Sequence, residues 1–547
     1  MPVLLRQSSD LPGPEVYAYW FAVTGTTAAL DPARKLPDLA RRLEEAFMDT
    51  RETWWRLGRE MGAAPTAEIA HAPTGGAFGS DFGVMLAWGR LTRKVAAANE
   101  SFLIVCDDPW LFRHLATRPG VRAGEAPSLF QAEVRLRLRG VLARAKTAAK
   151  LALAALTTKP QQKNIGTGAT ALLVYGHPAS NAQGYDTYFG SLMTDHPQLN
   201  RLLHTDCPPG RARELADDGR TASLHAWGRP LFAFRLLSAT WQPARNHMTG
   251  AYGWLVRRAA ARENSGGGPA MNRWQLHCQE NFITTMRPAR LAWPWENHAW
   301  ERGLCRTART AGVATLGYQH TVVGPHQINY ATYTNPDGLA SIPDVVACDG
   351  PAYRDELLAW GVPEDRLVIG GAFRFERFEK DLYDPDGPVF VPLSATPAAA
   401  RAQVAAAQRI ADGGRRVLIK DHPMYPFAFE ETDTLARTHE PLPRQKGISA
   451  VLFCTGTSGL EALLAGLPTF RLMLEDRIAI DVLPRGIEAH AVSVETAAET
   501  LAAARRPAHL NWQSVLAPVD ALFWRDLLFG GRPGANVSQA QEIREAS

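Results

Sequence analysis

Residues 450–468 read AVLFCTGTSGLEALLAGLP, and this stretch decides the fold class of the 547-residue chain. Its first five residues form a continuous apolar run, which is typical of a strand buried on both faces of a parallel sheet. Small and hydroxyl residues follow from Thr455, and a helical pattern begins near Ser458. A strand, a short loop and a helix in this order predict one βα unit of a parallel α/β sheet.

Similar apolar runs recur on both sides of this unit and of a turn-rich stretch at 383–388. They lie at 102–107, 171–175, 289–293, 314–318, 344–348, 388–393, 416–420 and 469–473. The sequence therefore predicts an α/β fold with two Rossmann-like domains whose parallel sheets face a central cleft. We place the domains at 1–384 and 385–547, the second ending in a C-terminal helix.

The composition excludes several classes of protein. The chain has 46% hydrophobic and 21% charged residues, as an ordinary globular protein does. Its net charge of +4 is too small for a dedicated nucleic-acid-binding protein. The cysteines stand singly, without metal-ligand spacing, and we expect a cytoplasmic protein with no membrane-spanning segment and no cleaved signal.

One segment, about 134–163, is basic and lacks acidic residues. On a helical wheel, basic side chains lie on the flanks of an apolar face. This face consists of Val134, Leu138, Val141, Ala145, Ala149, Ala152 and Leu156. Two interpretations stay open. The segment is either a helix in a lipid interface, or a surface helix whose apolar face packs on the sheet.

Two short motifs at predicted strand ends are suited to binding an anion. The KDHP motif at 420–423 supplies the positive charge of Lys420 and a hydrogen-bond donor in His422. The TGTSG motif at 455–459 leads into a helix whose first N–H groups would face a phosphate. Thr457 and Ser458 add hydroxyl donors, and Glu461 is placed to accept hydrogen bonds from ribose.

KDHP and GTSGLEALLAGLP together resemble the donor-binding half of GT-B glycosyltransferases, in particular bacterial enzymes that use CMP-activated sugars, such as Kdo transferases and sialyltransferases. PWENHAWE at 294–301 and GYQHT at 317–321 resemble bacterial surface-carbohydrate biosynthesis proteins. The resemblance covers about 290–475. It implies that the nucleotide is bound by Lys420, His422, Pro423, Thr457, Ser458, Gly459 and Glu461. It also places Glu296, Asn297, Gln319 and His320 on the sugar or acceptor side.

An inverting transfer also needs a base that removes the proton of the acceptor hydroxyl. The candidates are Glu296, His320 and Asp186, and the sequence does not choose between them. Asp186 lies in a polar and aromatic loop, in which Tyr188 is suited to stacking on a sugar. The acidic pair Asp107-Asp108 is interpreted as a helix cap, so we expect a metal-independent reaction without a cofactor.

The leading hypothesis is a metal-independent glycosyltransferase that moves a CMP-activated, Kdo-like ulosonic acid onto a bacterial surface polysaccharide or lipid-linked glycan. Its partners would be the nucleotide-sugar donor, the glycan acceptor and the inner face of the cytoplasmic membrane, with no nucleic acid. The alternatives are a UDP- or GDP-sugar transferase, a CDP-polyol-phosphate transferase, a nucleotide-sugar epimerase and a non-catalytic peripheral membrane scaffold.

Overall fold

The computed structural model describes residues 3–75, 80–98, 100–375, 377–378, 380–423, 425–475 and 477–530. Their strands form three sheets, and neighbouring strands run parallel in each of them. We call them the N-terminal, middle and C-terminal sheets. The predicted fold class is confirmed by the second and third of these, both of which are doubly wound.

The N-terminal sheet has four strands in the order β2-β3-β1-β4. The strands are β1 (Val3–Arg6), β2 (Tyr19–Ala22), β3 (Phe102–Val105) and β4 (Val121–Ala123). The helices of this part are α1 (Leu39–Asp49), α2 (Arg51–Gly62), α3 (Phe82–Ala96) and α4 (Pro109–Ala116). The span 1–384, which we predicted as one domain, therefore contains two separate sheets, and the run at 102–107 belongs to the first. Asp108 caps α4 as predicted, since it accepts hydrogen bonds from the N–H groups of Trp110 and Leu111.

The middle sheet has seven strands in the order β11-β10-β9-β8-β5-β6-β7. They are β5 (Thr170–Val174), β6 (Asn200–Leu203), β7 (Thr221–Ser223), β8 (Arg290–Pro294), β9 (Ala314–Gln319), β10 (Val345–Cys348) and β11 (Leu367–Ile369). The helices from 129 to 359 are α5 (Leu129–Thr158), α6 (Leu192–Asp195), α7 (Pro209–Leu215), α8 (Ala233–Leu236), α9 (Gly253–Glu263), α10 (Gly268–Met286), α11 (Ala299–Thr310) and α12 (Pro351–Ala359). The strand order reverses between β5 and β8, as in a Rossmann sheet.

The C-terminal sheet has six strands in the order β14-β13-β12-β15-β16-β17. They are β12 (Val389–Pro392), β13 (Val417–Lys420), β14 (Leu435–Thr438), β15 (Ala450–Phe453), β16 (Thr469–Leu472) and β17 (His490–Val492). Its helices are α13 (Pro397–Asp412), α14 (Ser458–Leu464) and α15 (Ala497–Ala502), and α16 (Trp512–Val515) and α17 (Ala521–Phe529) follow. Here the order reverses between β12 and β15.

Helix α17, the last one in the described ranges, returns to the middle sheet. The Trp524 indole is fully buried there and donates a hydrogen bond to the Gly370 carbonyl at 2.7 Å. The chain thus passes between the two sheets twice, after β11 and again before α17. The two passages lie side by side, because the Arg377 guanidinium is 4.6 Å from the centre of the Trp512 ring.

A buried ion pair joins the N-terminal part to the C-terminal sheet. The guanidinium of Arg471, on β16, contacts both carboxylate oxygens of Glu44, on α1, at 2.9 and 2.7 Å. Both side chains are at most one-tenth exposed. The first helices and the last sheet are therefore held together by a contact that water does not screen.

The basic segment forms α5, but its apolar face is not the one that packs. The helix is buried through Gly140, Arg144, Ala148, Leu151 and Ala155, whereas Leu138, Val141 and Leu156 on the predicted apolar face are exposed. The interpretation that this face packs on the sheet is therefore wrong. Within the described ranges, no helix combines the length and apolar character needed to cross a membrane.

Candidate functional site

The candidate site lies at the carboxyl end of the middle sheet, where the strand order reverses. His177 follows β5, and Glu296 follows β8 on the other side of the reversal. His320 follows the adjacent strand, β9. Diverging loops open a crevice at such a position, and this is where doubly wound sheets bind ligands.

Glu296 is the centre of a small group of ionisable side chains. Its Oε2 atom lies 2.8 Å from Nε2 of His298, and its Oε1 atom lies 3.8 Å from Nε2 of His320. The Glu296 side chain keeps about 32% of its surface exposed. The structure therefore brings two of the three predicted base candidates together, with the Glu296 carboxylate partly exposed and His320 buried beside it.

The turn that presents Glu296 is held from within. Glu301, at the start of α11, accepts hydrogen bonds from the N–H groups of Glu296 and His298. Asn297 between them has a positive φ of 59° and is fully buried. Its amide donates to the Asn329 carbonyl at 2.9 Å. The structure thus places Asn297, which we predicted as a substrate ligand, inside the protein, where it fixes the turn.

The charges around Glu296 keep it ionised. Burial alone would raise its pKa, but the hydrogen bond and charge of His298, together with the charges of His320 and Arg374, lower the pKa of Glu296 to about 2. Burial lowers the pKa of His320 to about 4, despite the opposing charge of Glu296. Near neutral pH the site therefore holds a carboxylate beside a neutral His320.

The pairing of His298 with Glu296 gives a pH-dependent stability. Burial alone would lower the pKa of His298, but the hydrogen bond and charge of Glu296 raise it overall. The stability that this pairing adds is complete below the ordinary histidine pKa of about 6.5. It is lost as the pH rises through the raised pKa of His298. We expect His298→Gln to have a lower free energy of unfolding than the wild type, and the difference to be largest at about pH 6. Urea unfolding at a series of pH values measures this, and a deficit that stays constant with pH would contradict it.

Arg374 and Tyr188 line the same opening. The Arg374 guanidinium lies 5.8 Å from the centre of the Tyr188 ring, and this ring is 5.1 Å from that of His320. Among the described residues, no carboxylate is close enough to form an ion pair with Arg374. Sequence reasoning predicted Tyr188 but missed Arg374, whose only signal was the glycine-rich turn Gly370-Gly371 before it. Gly371 has a φ of +85°, and a Cβ there would lie 2.4 Å from the Pro518 carbonyl oxygen.

The KDHP motif of the C-terminal sheet faces this opening. Lys420 ends β13, and the half-buried His422 follows it. Burial lowers the pKa of His422, and the charges of Lys420 and Arg374 lower it further. The pKa of His177 is also lowered, first by burial and then by Arg374 and His422. His177 therefore lies in the same electrostatic neighbourhood as the predicted donor site.

The TGTSG loop lies on the same edge of the C-terminal sheet, after β15. Thr457, Ser458 and Glu461 are partly exposed, whereas Gly459 is buried. A Cβ at Gly459 would lie 2.4 Å from the Phe453 ring, so this glycine lets α14 approach the strand. Pro423 is exposed. The predicted donor residues therefore occupy two strand ends that flank β12.

Two other predicted site residues lie in the interior. The Asp186 carboxylate is 1% exposed, accepts a hydrogen bond from the Tyr188 N–H at 3.0 Å and lies 3.8 Å from the buried Arg201 guanidinium. Gln319 is fully buried and accepts a hydrogen bond from the Asp349 N–H at 2.9 Å. Both side chains hold loops near the opening rather than line it.

No metal site is visible in the described part of the chain, which has no group of three or more His, Cys, Asp or Glu side chains arranged to hold an ion. Metal independence therefore stays a prediction.

Comparisons with known proteins reach only remote structures. No protein-family model matches the chain, and no curated protein matches it in sequence. Similar solved structures include the glycotransferase of kitacinnamycin (10% identity, TM-score 0.36), the calicheamicin glycosyltransferase CalG4 (15%, 0.36) and UDP-N-acetylglucosamine 2-epimerase from Rickettsia bellii (12%, 0.34). Each alignment covers 69% of this chain and 96–99% of the other. Likeness at these TM-scores supports no inference about the reaction.

Proposed function

We propose that this protein is a glycosyltransferase whose nucleotide-sugar donor binds between the middle and C-terminal sheets. The observation that carries the proposal is the position of Arg374, whose charge acts on both Glu296 and His422. In this proposal a carboxylate able to accept a proton and a cationic group able to hold a phosphate share one opening. An inverting sugar transfer from a nucleotide uses both groups.

In the proposed reaction, Glu296 accepts the proton of the acceptor hydroxyl as that oxygen attacks the anomeric carbon. The bond from this carbon to the nucleotide phosphate breaks, and the phosphate leaves with its negative charge. Lys420 and His422 stabilise that charge, with the hydroxyl groups of Thr457 and Ser458 as further donors. His320 is the second candidate for the base. In this proposal the cations take the place of a metal ion, and no cofactor is needed.

For the donor we propose a CMP-activated ulosonic acid of the Kdo type. Such a sugar carries a carboxylate on its anomeric carbon, next to the phosphate that leaves. The charge of Arg374 acts on both His422 and Glu296, and no described carboxylate forms an ion pair with it. A guanidinium is well suited to bind a carboxylate. An uncharged UDP- or GDP-linked hexose would offer it no such partner.

Replacing Arg374 tests this assignment. Arg374→Gln is expected to raise the KM for a CMP-ulosonic acid by about 10- to 100-fold, as expected when a charged hydrogen bond is lost. The Kd of free CMP, which lacks the sugar carboxylate, should change by less than about threefold. Donor kinetics and calorimetric titration with CMP measure the two quantities. If the Kd of CMP and the KM of the donor rose by the same factor, Arg374 would bind the phosphate instead of the sugar carboxylate.

Calorimetric titrations with CMP, UDP and GDP, each with EDTA present, test the function itself. We expect CMP to bind without a metal and His422→Ala to abolish this binding. His439→Ala, which replaces an exposed histidine of the same part of the chain, is the matched control. Binding of UDP without CMP would overturn the choice of donor. Turnover of the donor without an acceptor would favour an epimerase, and failure of every labelled donor to react would favour a scaffold.

We further propose that the acceptor is a surface polysaccharide or a lipid-linked glycan, and that the enzyme works in the cytoplasm at the inner face of the cytoplasmic membrane. The resemblance to surface-carbohydrate biosynthesis proteins supports the acceptor, and the exposed basic helix α5 supports the location.

A further inference from the structure

An exposed apolar surface runs along the outer side of α5 and continues onto the segment 230–237. Its members are large apolar side chains between 37% and 79% exposed: Phe130, Val134, Leu138, Val141, Leu142, Leu153, Leu156, Leu231, Phe234 and Leu237. We call these ten residues the apolar strip. Soluble proteins expose apolar side chains singly, but a set of this size on one helix and its neighbouring segment marks an interaction surface.

The apolar strip is held rigidly, because the inner side of α5 is fixed to the protein. The Arg144 guanidinium donates hydrogen bonds to the carbonyls of Leu237 at 3.0 Å and Asn264 at 2.8 Å. At Gly140 an added Cβ would lie 2.0 Å from the Asn264 carbonyl oxygen, so the helix packs with its backbone in contact. The first of these hydrogen bonds also ties α5 to the segment that carries Leu231 and Phe234.

Basic side chains border the apolar strip. Four exposed bases of α5 project on one flank of its apolar face: Arg135, Arg139, Lys146 and Lys150. Arg229 and Arg235 are exposed beside Leu231 and Phe234. The residues 134–163 and 229–237 contain no acidic residue, and the nearby Glu133 lies 3.7 Å from Arg137. The surface is therefore apolar along its middle and positive at its edge.

From this arrangement we infer that the apolar strip binds the surface of a bilayer that contains anionic lipids, with α5 lying parallel to the membrane. Apolar side chains would enter the boundary between headgroups and acyl chains, while the arginines and lysines contact anionic headgroups. Protein interfaces are depleted of lysine, whereas interfacial helices are rich in lysine and arginine on their polar side. The inference gives the proposed membrane location a defined surface, which the sequence showed only in part because it missed Leu231, Phe234 and Leu237.

Vesicle flotation of the full chain tests the inference. Wild type is expected to float with vesicles of equal amounts of phosphatidylcholine and phosphatidylglycerol, and far less with phosphatidylcholine alone. The apolar variant Leu138→Ser/Leu142→Ser/Leu231→Ser and the charge variant Arg139→Glu/Lys146→Glu/Lys150→Glu should each lose at least about tenfold in partition coefficient. All six positions are exposed, so neither variant removes a buried contact.

Matched controls replace similar exposed residues elsewhere. Leu339→Ser/Leu358→Ser/Leu522→Ser and Arg444→Glu/Lys446→Glu/Arg505→Glu should float as wild type does. Equal flotation of wild type and both strip variants would overturn the inference. So would a wild type that stays with the aqueous phase and forms a dimer that the apolar variant dissociates, because the strip would then join two copies of the chain. Flotation does not depend on sugar transfer, so a negative flotation result does not contradict the proposed reaction. Likewise, a failure to bind CMP does not contradict the inferred lipid-binding surface.

Discussion

Replacing Glu296 with glutamine is expected to lower kcat by about a thousandfold, with a KM for the donor that stays within about threefold. Glutamine keeps the shape of the side chain and can still hydrogen bond to His298, but it cannot take the proton of an acceptor hydroxyl. The charge of Glu296 also balances the charges of His298 and Arg374, which the variant would leave beside the reacting sugar. Initial rates at saturating donor and acceptor measure the effect.

Two comparison variants separate this effect from general damage. Glu280→Gln replaces an exposed carboxylate on α10 and should leave kcat unchanged. Asp186→Asn should keep kcat within about twofold but lower the free energy of unfolding by about 2 kcal/mol, because Arg201 loses one of its two buried carboxylates. A kcat that falls in Asp186→Asn and not in Glu296→Gln would identify Asp186 as the base.

The largest expected effect on stability comes from the Glu44 and Arg471 pair. Glu44→Ala should lower the free energy of unfolding by about 3–5 kcal/mol, because it leaves the Arg471 guanidinium buried with only a weaker contact to Asp481, at 3.6 Å, and the Ala479 carbonyl. Urea unfolding followed by tryptophan fluorescence measures the loss. The double variant Glu44→Ala/Arg471→Met should recover much of it, since no unpaired charge remains.

The more exposed pair Lys35 and Glu475 is the control for this prediction. It joins the same two parts of the chain, but both side chains are about one-third exposed. Glu475→Ala should cost no more than about 1 kcal/mol, because water screens the charges. Similar losses for Glu44→Ala and Glu475→Ala would show that burial does not strengthen the first pair.

The sequence predicted the parts of the fold that depend on continuous apolar runs. All four strands predicted for the middle sheet, and the four for the C-terminal sheet, lie within a residue or two of their expected positions. The N-terminal sheet was missed except for β3. Its strands β1 and β2 each contain two partly exposed residues, whereas β3 is buried throughout, and about 80 residues separate β2 from β3. A strand without a continuous buried run is not recognised from the sequence, and its pairing with a strand so distant along the chain cannot be inferred.

The sequence predicted which residues of the candidate site lie at strand ends, but not the direction in which their side chains point. Successive side chains of an extended chain point in opposite directions, so of two neighbours at a strand end one faces the opening and the other the interior. This separates His320 from Gln319. A position at or just after a strand end therefore did not show that the side chains of Gln319 and Asn297 point into the interior. Arg374 was missed for another reason, since it becomes part of the site only through the packing of two sheets.

The two neighbouring passages between the middle and C-terminal sheets limit how the cleft can move. Because Arg377 and Trp512 keep these passages in contact, a rigid rotation of the C-terminal sheet about an axis through both would also have to separate the buried pair of Glu44 and Arg471. We therefore expect this pair, while it is intact, to keep His422 at a fixed distance from Glu296.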